Sequence, residues 1–562
     1  MPDEPYERSR PSGRIPGTPG TPGGETADTA GAQRVGTPPG GRSRATTDTR
    51  SGEAPGPVGA GAYAHDLWLT DLRREPPSTV GTAVLWAALA TGVLSTVLLD
   101  EGVGVNLFLV ALPATLTAYF AARRAGRVQA RPWTLAWGIG GLALLLVPVL
   151  RAAQWPSFLA VATAIGLASL ALHDSRSWAG VVLSPFGLVD SLFKGAAWGW
   201  RGVRARAGKA SDNVGSVLRA LAVTAVLLLV FGALFAGADA AFADLLSRLV
   251  PDTSVGDGPW HLLLFALGLL GALAAAHTAA APLQWDRYKP SPGSARGRGE
   301  WALPLLLLCV LFAVFNVIQL TVLFGGYEAV LDKTGQTYSE YARQGFWQLL
   351  IATLLTLLVI VLALRWAPRG GPGDRNLVRG VLGTLCALTL IVVASAVRRM
   401  DMYVEAYGLT RLRISVVTVE LWLGLVILLI MVAGIRGARR LPRAVAASAA
   451  VGALAFGLAS PDGLIAENNV RRYEKTHKFD LDYARGLSAD AVPALDRLEE
   501  PMRSCVLGPL AEELGPATAS WYEISWGEVR ARRILEERPP VTTGPGTCVG
   551  SGENGENSEY HR

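Results

Sequence analysis

The sequence predicts an all-α integral membrane protein of about eleven transmembrane helices, followed by a small external helical segment. Three observations carry this. Half of the 562 residues are apolar and only 17% are charged, against about 25% in soluble domains. Apolar runs long enough to span a bilayer recur from Thr79 to Ala459. Lysine and arginine collect on alternate connections between those runs. The net charge of +6 and the sequence pI near 9.2 would otherwise raise nucleic acid as a partner. In a chain with a mean hydropathy of +0.31 the basic residues read as loop residues beside a lipid bilayer, and no nucleic-acid partner is expected. Collagen, coiled coils and disulfide-stapled miniproteins are excluded by length and by four cysteines.

In chain order, residues 1–62 hold 10 Pro and 13 Gly, with seven Arg balancing seven acids. That composition predicts a neutral, disordered cytoplasmic tail, serving as an interaction arm or a spacer. No apolar run lies within the first thirty residues, so the first span is expected to act as an uncleaved signal-anchor. The transmembrane domain covers 63–459. Its candidate spans are 80–99, 103–122, 133–150, 156–172, 220–238, 260–281, 302–324, 346–364, 380–397, 414–434 and 444–459. Two of them carry Pro113 and Pro148, tolerated where neighbouring helices satisfy the freed carbonyls.

Connections on the N-terminal side of the membrane hold 25 Lys and Arg, and those on the other side hold 8. The excess places the N-terminus in the cytoplasm of a cell-membrane protein. Half of the minority sits in 398–413, read as an outer loop with Arg398, Arg399, Arg411 and Arg413. An odd span count then puts residues 460–540 outside, with 18 acids against 12 bases after Ser460. A helix over 462–474 is expected with Asp462 as its cap, a second from Ser488 and a third from Ser520 to about Glu537. Leu495, Leu498, Met502, Val506 and Leu510 recur at helical spacing, broken by Pro501. Residues 541–562 read as a flexible end. Cys505 and Cys548 both lie beyond the spans, as a disulfide or as two thiols, whereas Cys309 and Cys386 fall inside spans as packing residues.

Four stretches carry a family pattern. They are FAGADAAF from Phe235 to Phe242, YSEYARQGFWQ from Tyr338 to Gln348, and RRMDMYVEAYGLT from Arg398 to Thr410. The fourth is NVRRY from Asn469 to Tyr473, continued by LDY at Leu481–Tyr483 and LSADA at Leu487–Ala491. On these, residues 63–540 resemble bacterial polytopic membrane proteins grouped as domain-of-unknown-function family four-one-seven-three, related to four-one-five-three. The resemblance implies a polytopic helical fold and brings no catalytic residues. The stretches fall outside the membrane or at its outer edge, which makes the outer face the expected working face.

Glu420 is the one acid well inside a span, where a charge costs about 2.5–3.5 kcal/mol by the lower estimates. It reads either as a proton or substrate site, or as half of a buried ion pair with an outer arginine. Arg413 is the nearest on its own helix, seven positions earlier. Asn316 and Gln319 sit one turn apart mid-span, as interhelical hydrogen-bonding groups or a solute site. In 325–345, Glu340 and Arg343 are spaced for a helix-surface pair. With Asp401, Glu405 and the four arginines they form a candidate outer vestibule, the alternative being plain surface salt bridging. Segment 239–250 is amphipathic and reads as an interfacial helix. Arg201, Arg204, Arg206 and Lys209 follow Trp198 and Trp200, which predicts a juxtamembrane helix on anionic lipid. Metalloprotease, redox-dithiol and nucleophile-elbow motifs are missing, His277 stands alone, and the phosphate-loop-like Gly202–Lys209 has the wrong spacing. No cofactor or metal is expected. These features favour a non-enzymatic envelope sensor or assembly protein with a protein partner at the external segment. A proton-coupled transporter using Glu420 is the first alternative, and an outer-face enzyme the second.

Overall fold

The computed structural model describes residues 76–207, 258–325, 338–515 and 521–541, apart from 78, 100–101, 128–130 and 289–292, with isolated positions at 223, 224, 227, 231 and 548. The tail 1–62, the candidate span 220–238 (isolated positions aside), segment 239–250 and the stretch 235–242 lie outside the described residues, as does all of 541–562 but Val541 and Cys548. Among the described residues the regular elements are all helical, and nine helices are long and apolar enough to cross a membrane. These are α2 (Asn106–Arg124), α3 (Pro132–Leu150), α4 (Gln154–His173), α6 (Gly258–Ala280), α7 (Arg298–Gly325), α8 (Tyr338–Trp366), α9 (Pro372–Tyr407), α10 (Arg411–Arg436) and α11 (Leu441–Leu458). The first candidate span is the shorter apolar helix α1 (Thr82–Leu98).

Side-chain packing joins these helices in three groups. Val84 of α1, Ala121 of α2, Trp198 and the Ala276–Ala280 end of α6 form one cluster. Trp137 and Leu144 of α3 pack with Ala160, Ala164 and Leu167 of α4 and Ala450 of α11. α7 to α10 share two stacked clusters, one around Phe346, Ala396 and Leu423, the other around Cys309, Ile360, Cys386 and Ile427. The outward faces stay apolar and exposed, for example Leu307, Val310 and Leu311 of α7, as lipid-facing helices require.

Two expected loops are helical. Segment 173–219 contains the 30-residue helix α5 (Trp178–Ala207). Its small and polar face, with Ser184, Ser191 and Trp198 buried, lies across helix ends. The Trp198 indole donates to Pro77 O at 2.9 Å ahead of α1. Ser191 lies 3.4 Å from His277 near the end of α6, and the Ser177 N–H donates to Asp286 just beyond it. Trp198, just ahead of the expected juxtamembrane basic helix, therefore faces the bundle. Trp178, Val182, Phe186, Val189 and Phe193 form the exposed apolar stripe instead. Likewise 398–407 is no loop. α9 runs 36 residues, about 54 Å at 1.5 Å per residue, and carries Arg398, Arg399, Asp401 and Glu405 beyond its apolar part.

The C-terminal module comprises α12 (Pro461–Thr476), α13 (Leu481–Arg485), α14 (Val492–Leu495), α15 (Met502–Leu514) and α16 (Trp526–Glu537). The apolar series expected at helical spacing forms its core, joined by Ile465, Val470, Leu507 and Ala531. The three expected caps differ. Ser488 precedes only the short 3-10 turn Ala489–Ala491, and its side chain makes no capping bond. Ser525, not Ser520, caps the last helix by accepting from the Glu528 N–H. Ser460 precedes α12, and Asp462 caps nothing because its carboxylate is used elsewhere. The module touches three connections: α1–α2 where the Asn106 N–H donates to Tyr522 O, α3–α4 at Ala152 and Ala153, and α9–α10 at Leu409. All three belong to the set that the sequence found poor in cations.

Candidate functional site

Two polar centres stand out. The first is the junction between module and bundle. Asp462, fully buried, is held from three sides. Arg411, the first residue of α10, grips both its oxygens, from Nε at 2.9 Å and Nη2 at 2.5 Å. The Trp155 indole donates at 3.0 Å and the Ser488 N–H at 2.9 Å. Burial opposes the charge, but the Arg411 guanidinium, the Ser488 N–H and the Trp155 indole together hold the carboxyl below the ordinary carboxylate range. Arg411 is itself oriented, since its N–H donates to the Tyr483 hydroxyl at 2.7 Å and its Nη2 to Gly486 O at 2.9 Å.

Around this pair the chain reads its own backbone. Asn469 closes a two-way clasp on Leu409, accepting from its N–H at 2.8 Å and donating to its carbonyl at 3.0 Å. Arg472 donates to Ala406 O at 2.6 Å and faces Glu405 O at 3.4 Å, the open carbonyls at the end of α9. Gly408, at φ +79°, makes the turn between α9 and α10 in a conformation side-chain-bearing residues avoid. A second buried acid, Asp490, accepts from the Ala152 and Ala153 N–H groups at 2.9 and 3.1 Å, ahead of α4. Burial pushes its carboxyl above the ordinary range, against the pull of those donors and of Arg151.

The second centre lies inside the membrane part. Glu420 is fully buried, with Val416 and Leu423 on one side and Ile427 a further turn along. Thr353 of α8 donates to its Oε1 at 3.0 Å, and Oε2 has no partner among the described residues. The expected pairing with Arg413 is not formed. That guanidinium donates to the Tyr407 and Gly408 carbonyls and sits 4.3 Å from the Tyr403 ring centroid, because the end of its own hairpin offers closer acceptors. Asn316 and Gln319 also part company. Asn316 donates to Leu388 O at 3.0 Å, whereas Gln319 accepts from Arg399 at 2.8 Å. Arg399 crosses directly over Gly345, where any side chain would collide with it. Arg398 pairs with Asp401 at 2.6 Å on the exposed face of α9. Glu340 and Arg343 fall on the first turns of α8, their side chains outside the described residues. Among the described residues the vestibule members separate: Arg398 and Asp401 make a surface pair, Arg411 and Arg413 serve the junction, and Arg399 turns inward. Cys505 and Cys548 are disulfide-bonded, and Cys309 and Cys386 are free and buried.

The chain matches the model of a domain of unknown function, DUF4153, over residues 138–498. It belongs to the DUF4153 family. No curated protein and no solved structure matches it. Of the two related groups expected from the motifs, the match is to four-one-five-three. The DUF4153 region contains Glu420, Arg411, Asp462 and Asp490, and it ends before α15, α16 and the disulfide. Two of the quoted stretches, 398–410 and 469–491, meet at the junction through Asn469, Arg472 and Tyr483. The Asp462–Arg411 pair was not singled out by spacing, since 51 residues separate the partners. Its accessible signal was the density of polar residues in those two stretches.

Proposed function

We propose that this protein is a non-enzymatic multi-pass envelope protein of the cell membrane. Its N-terminus is cytoplasmic, and its C-terminal module is an external platform for a protein partner, in a sensing or assembly role. The observation that carries this reading is the junction. A module with its own apolar core is clamped to the bundle by a buried, bidentate ion pair, so an event at the module is transmitted to α10 through Arg411. The arginine asymmetry supports the orientation, and a disulfide in the module suits an oxidising compartment. The stretches shared with group four-one-seven-three extend the reading to that relative. To test it, a photo-crosslinker is placed at Trp521, 72% exposed on the module, in intact cells. A discrete crosslinked partner is the expected result. Crosslinks to lipid or to the chain itself alone overturn the platform reading.

A second reading has one specific observation in its favour. Glu420 lies in the bundle with an oxygen unpartnered among the described residues and no ion-pair partner there, as a proton-carrying residue of a secondary transporter would. Glu420→Gln preserves the shape and an acceptor for Thr353. The transporter reading expects normal membrane levels of this variant with proton-driven solute uptake abolished. Loss of membrane expression in both Glu420→Gln and Glu420→Ala makes the residue structural and ends the coupling idea.

A further inference from the structure

We propose that the cleft between the C-terminal module and the ends of α3 and α11 binds a phosphate-bearing anion, such as a phospholipid headgroup. The inference is independent of any protein partner of the module. The cleft encloses about 520 Å³ and is lined by Arg151, Arg497 and Arg530, with Glu467 and Asp490 as its acids. That volume lies within the roughly 300–1,000 Å³ of small-ligand sites.

The charges decide what fits. Both acids are already engaged. Glu467 pairs with Arg497 at 2.6 Å and approaches Arg471 at 3.9 Å. Asp490 accepts the two N–H groups ahead of α4. The cations are not all engaged. Arg151 gives one Nη2 proton to Leu458 O and its charge acts on Asp490, while its Nε is buried without an acceptor, a state that costs free energy. Arg530 has neither hydrogen bond nor ion pair among the described residues. Trp526, 61% exposed, lies one turn before Arg530 on the same face of α16 and also lines the cleft. The outcome is a recess with surplus guanidinium donors and an indole at its rim. Guanidinium forks match phosphate oxygens in pairs, and a phosphate's third oxygen leaves an acceptor for a second fork, whereas a cation is repelled.

Position favours a lipid as the source of that phosphate. Leu150 is the last residue of α3 and Ala459 the first after α11, and both line the cleft. Its floor is therefore at the level where two spans leave the hydrocarbon, the depth at which tryptophans and headgroups meet. Leu150 and Leu464 supply apolar wall on that side.

The test uses the purified full-length protein in maltoside detergent, which carries no phosphate. The probes are phosphatidic acid, diacylglycerol with the same acyl chains, and inorganic phosphate, with bound species counted by native mass spectrometry. Saturable binding of phosphatidic acid is expected, at least tenfold tighter than diacylglycerol. Arg530→Gln weakens it about tenfold, whereas Arg533→Gln, an equal charge change on the same helix away from the cleft, leaves it unchanged. Because Arg530 makes no hydrogen bond or ion pair among the described residues, the variant should melt with the wild type. Should it not, Arg530→Lys keeps the charge without the fork and should give an intermediate affinity. Displacement of the lipid by inorganic phosphate identifies phosphate alone as sufficient, and retention of the lipid identifies the headgroup. Equal binding of phosphatidic acid and diacylglycerol, or equal binding by wild type and Arg530→Gln, overturns the proposal.

Discussion

Replacing Arg411 with alanine is expected to release the C-terminal module from the membrane helices more effectively than any other single change at the junction. Asp462 would remain fully buried with only the Trp155 and Ser488 N–H groups facing it. Removing one partner of a buried pair costs about 3–5 kcal/mol, because the other charge stays behind uncompensated. A value near 3 kcal/mol is expected, since Arg411 is partly solvated. Cleavage of the module by a protease under native conditions should then rise on the order of a hundredfold, tracking the open population. Asp462→Asn should cost less. The neutral amide leaves no buried charge and its one oxygen still accepts from either Trp155 or Ser488, whose donors face different oxygens, and the arginine left over, 40% exposed, keeps access to water. A larger effect from Asp462→Asn than from Arg411→Ala contradicts this account. The acid dependence follows from the same pair. The folded-state pKa of Asp462 is lowered, so its contribution is fully present above the unfolded value, about 3.9. It is lost as pH falls through the lower folded value. Arg411→Ala should remove this part of the acid sensitivity.

The second large effect is expected from Cys548→Ser. The bond joins residues 43 apart in sequence, and the chain-entropy model gives about 4 kcal/mol for a loop of that size. Thermal melting of the purified protein, followed with and without reductant, should show the wild type falling to the variant's midpoint only when reduced. Identical midpoints in oxidised wild type and variant would mean that the cross-link does not constrain the unfolded module. In cells, an impermeant maleimide should label Cys505 and Cys548 only after reduction. Labelling that needs permeabilised cells reverses the proposed orientation.

The membrane helices were legible because hydrocarbon imposes a simple length rule. Ten candidate spans coincide with helices, including α4 and the Ala-rich α11. Helices that the rule does not govern were missed. Asp190, Lys194 and the arginines from Arg201 onward interrupt the apolar run of α5, so its stripe at 178, 182, 186, 189 and 193 was submerged in a charged segment. The C-terminal end of α9 was missed for a related reason. Hydropathy marks where hydrocarbon ends, while the helix continues through Arg398–Tyr407 with Met400 still packed in the cluster around Phe346. Ser460-Pro461-Asp462 carries the local signature of a helix start, yet the carboxylate answers to Arg411. Local capping chemistry and a distant guanidinium compete for the same oxygens, and a bidentate charged contact wins. Arg413 went the other way. Spacing on the helix pointed it at Glu420, but the carbonyls at the end of α9 were nearer than the acid.

The placement of α5 has a consequence for how the chain is threaded. It binds the start of α1 and the finishing ends of α4 and α6, so those three ends share one face. The opposite end of α6 lies beside the finishing end of α1, where Thr96 meets the His261 carbonyl. Ala207 and Gly258 are consequently at opposite ends of this group of helices.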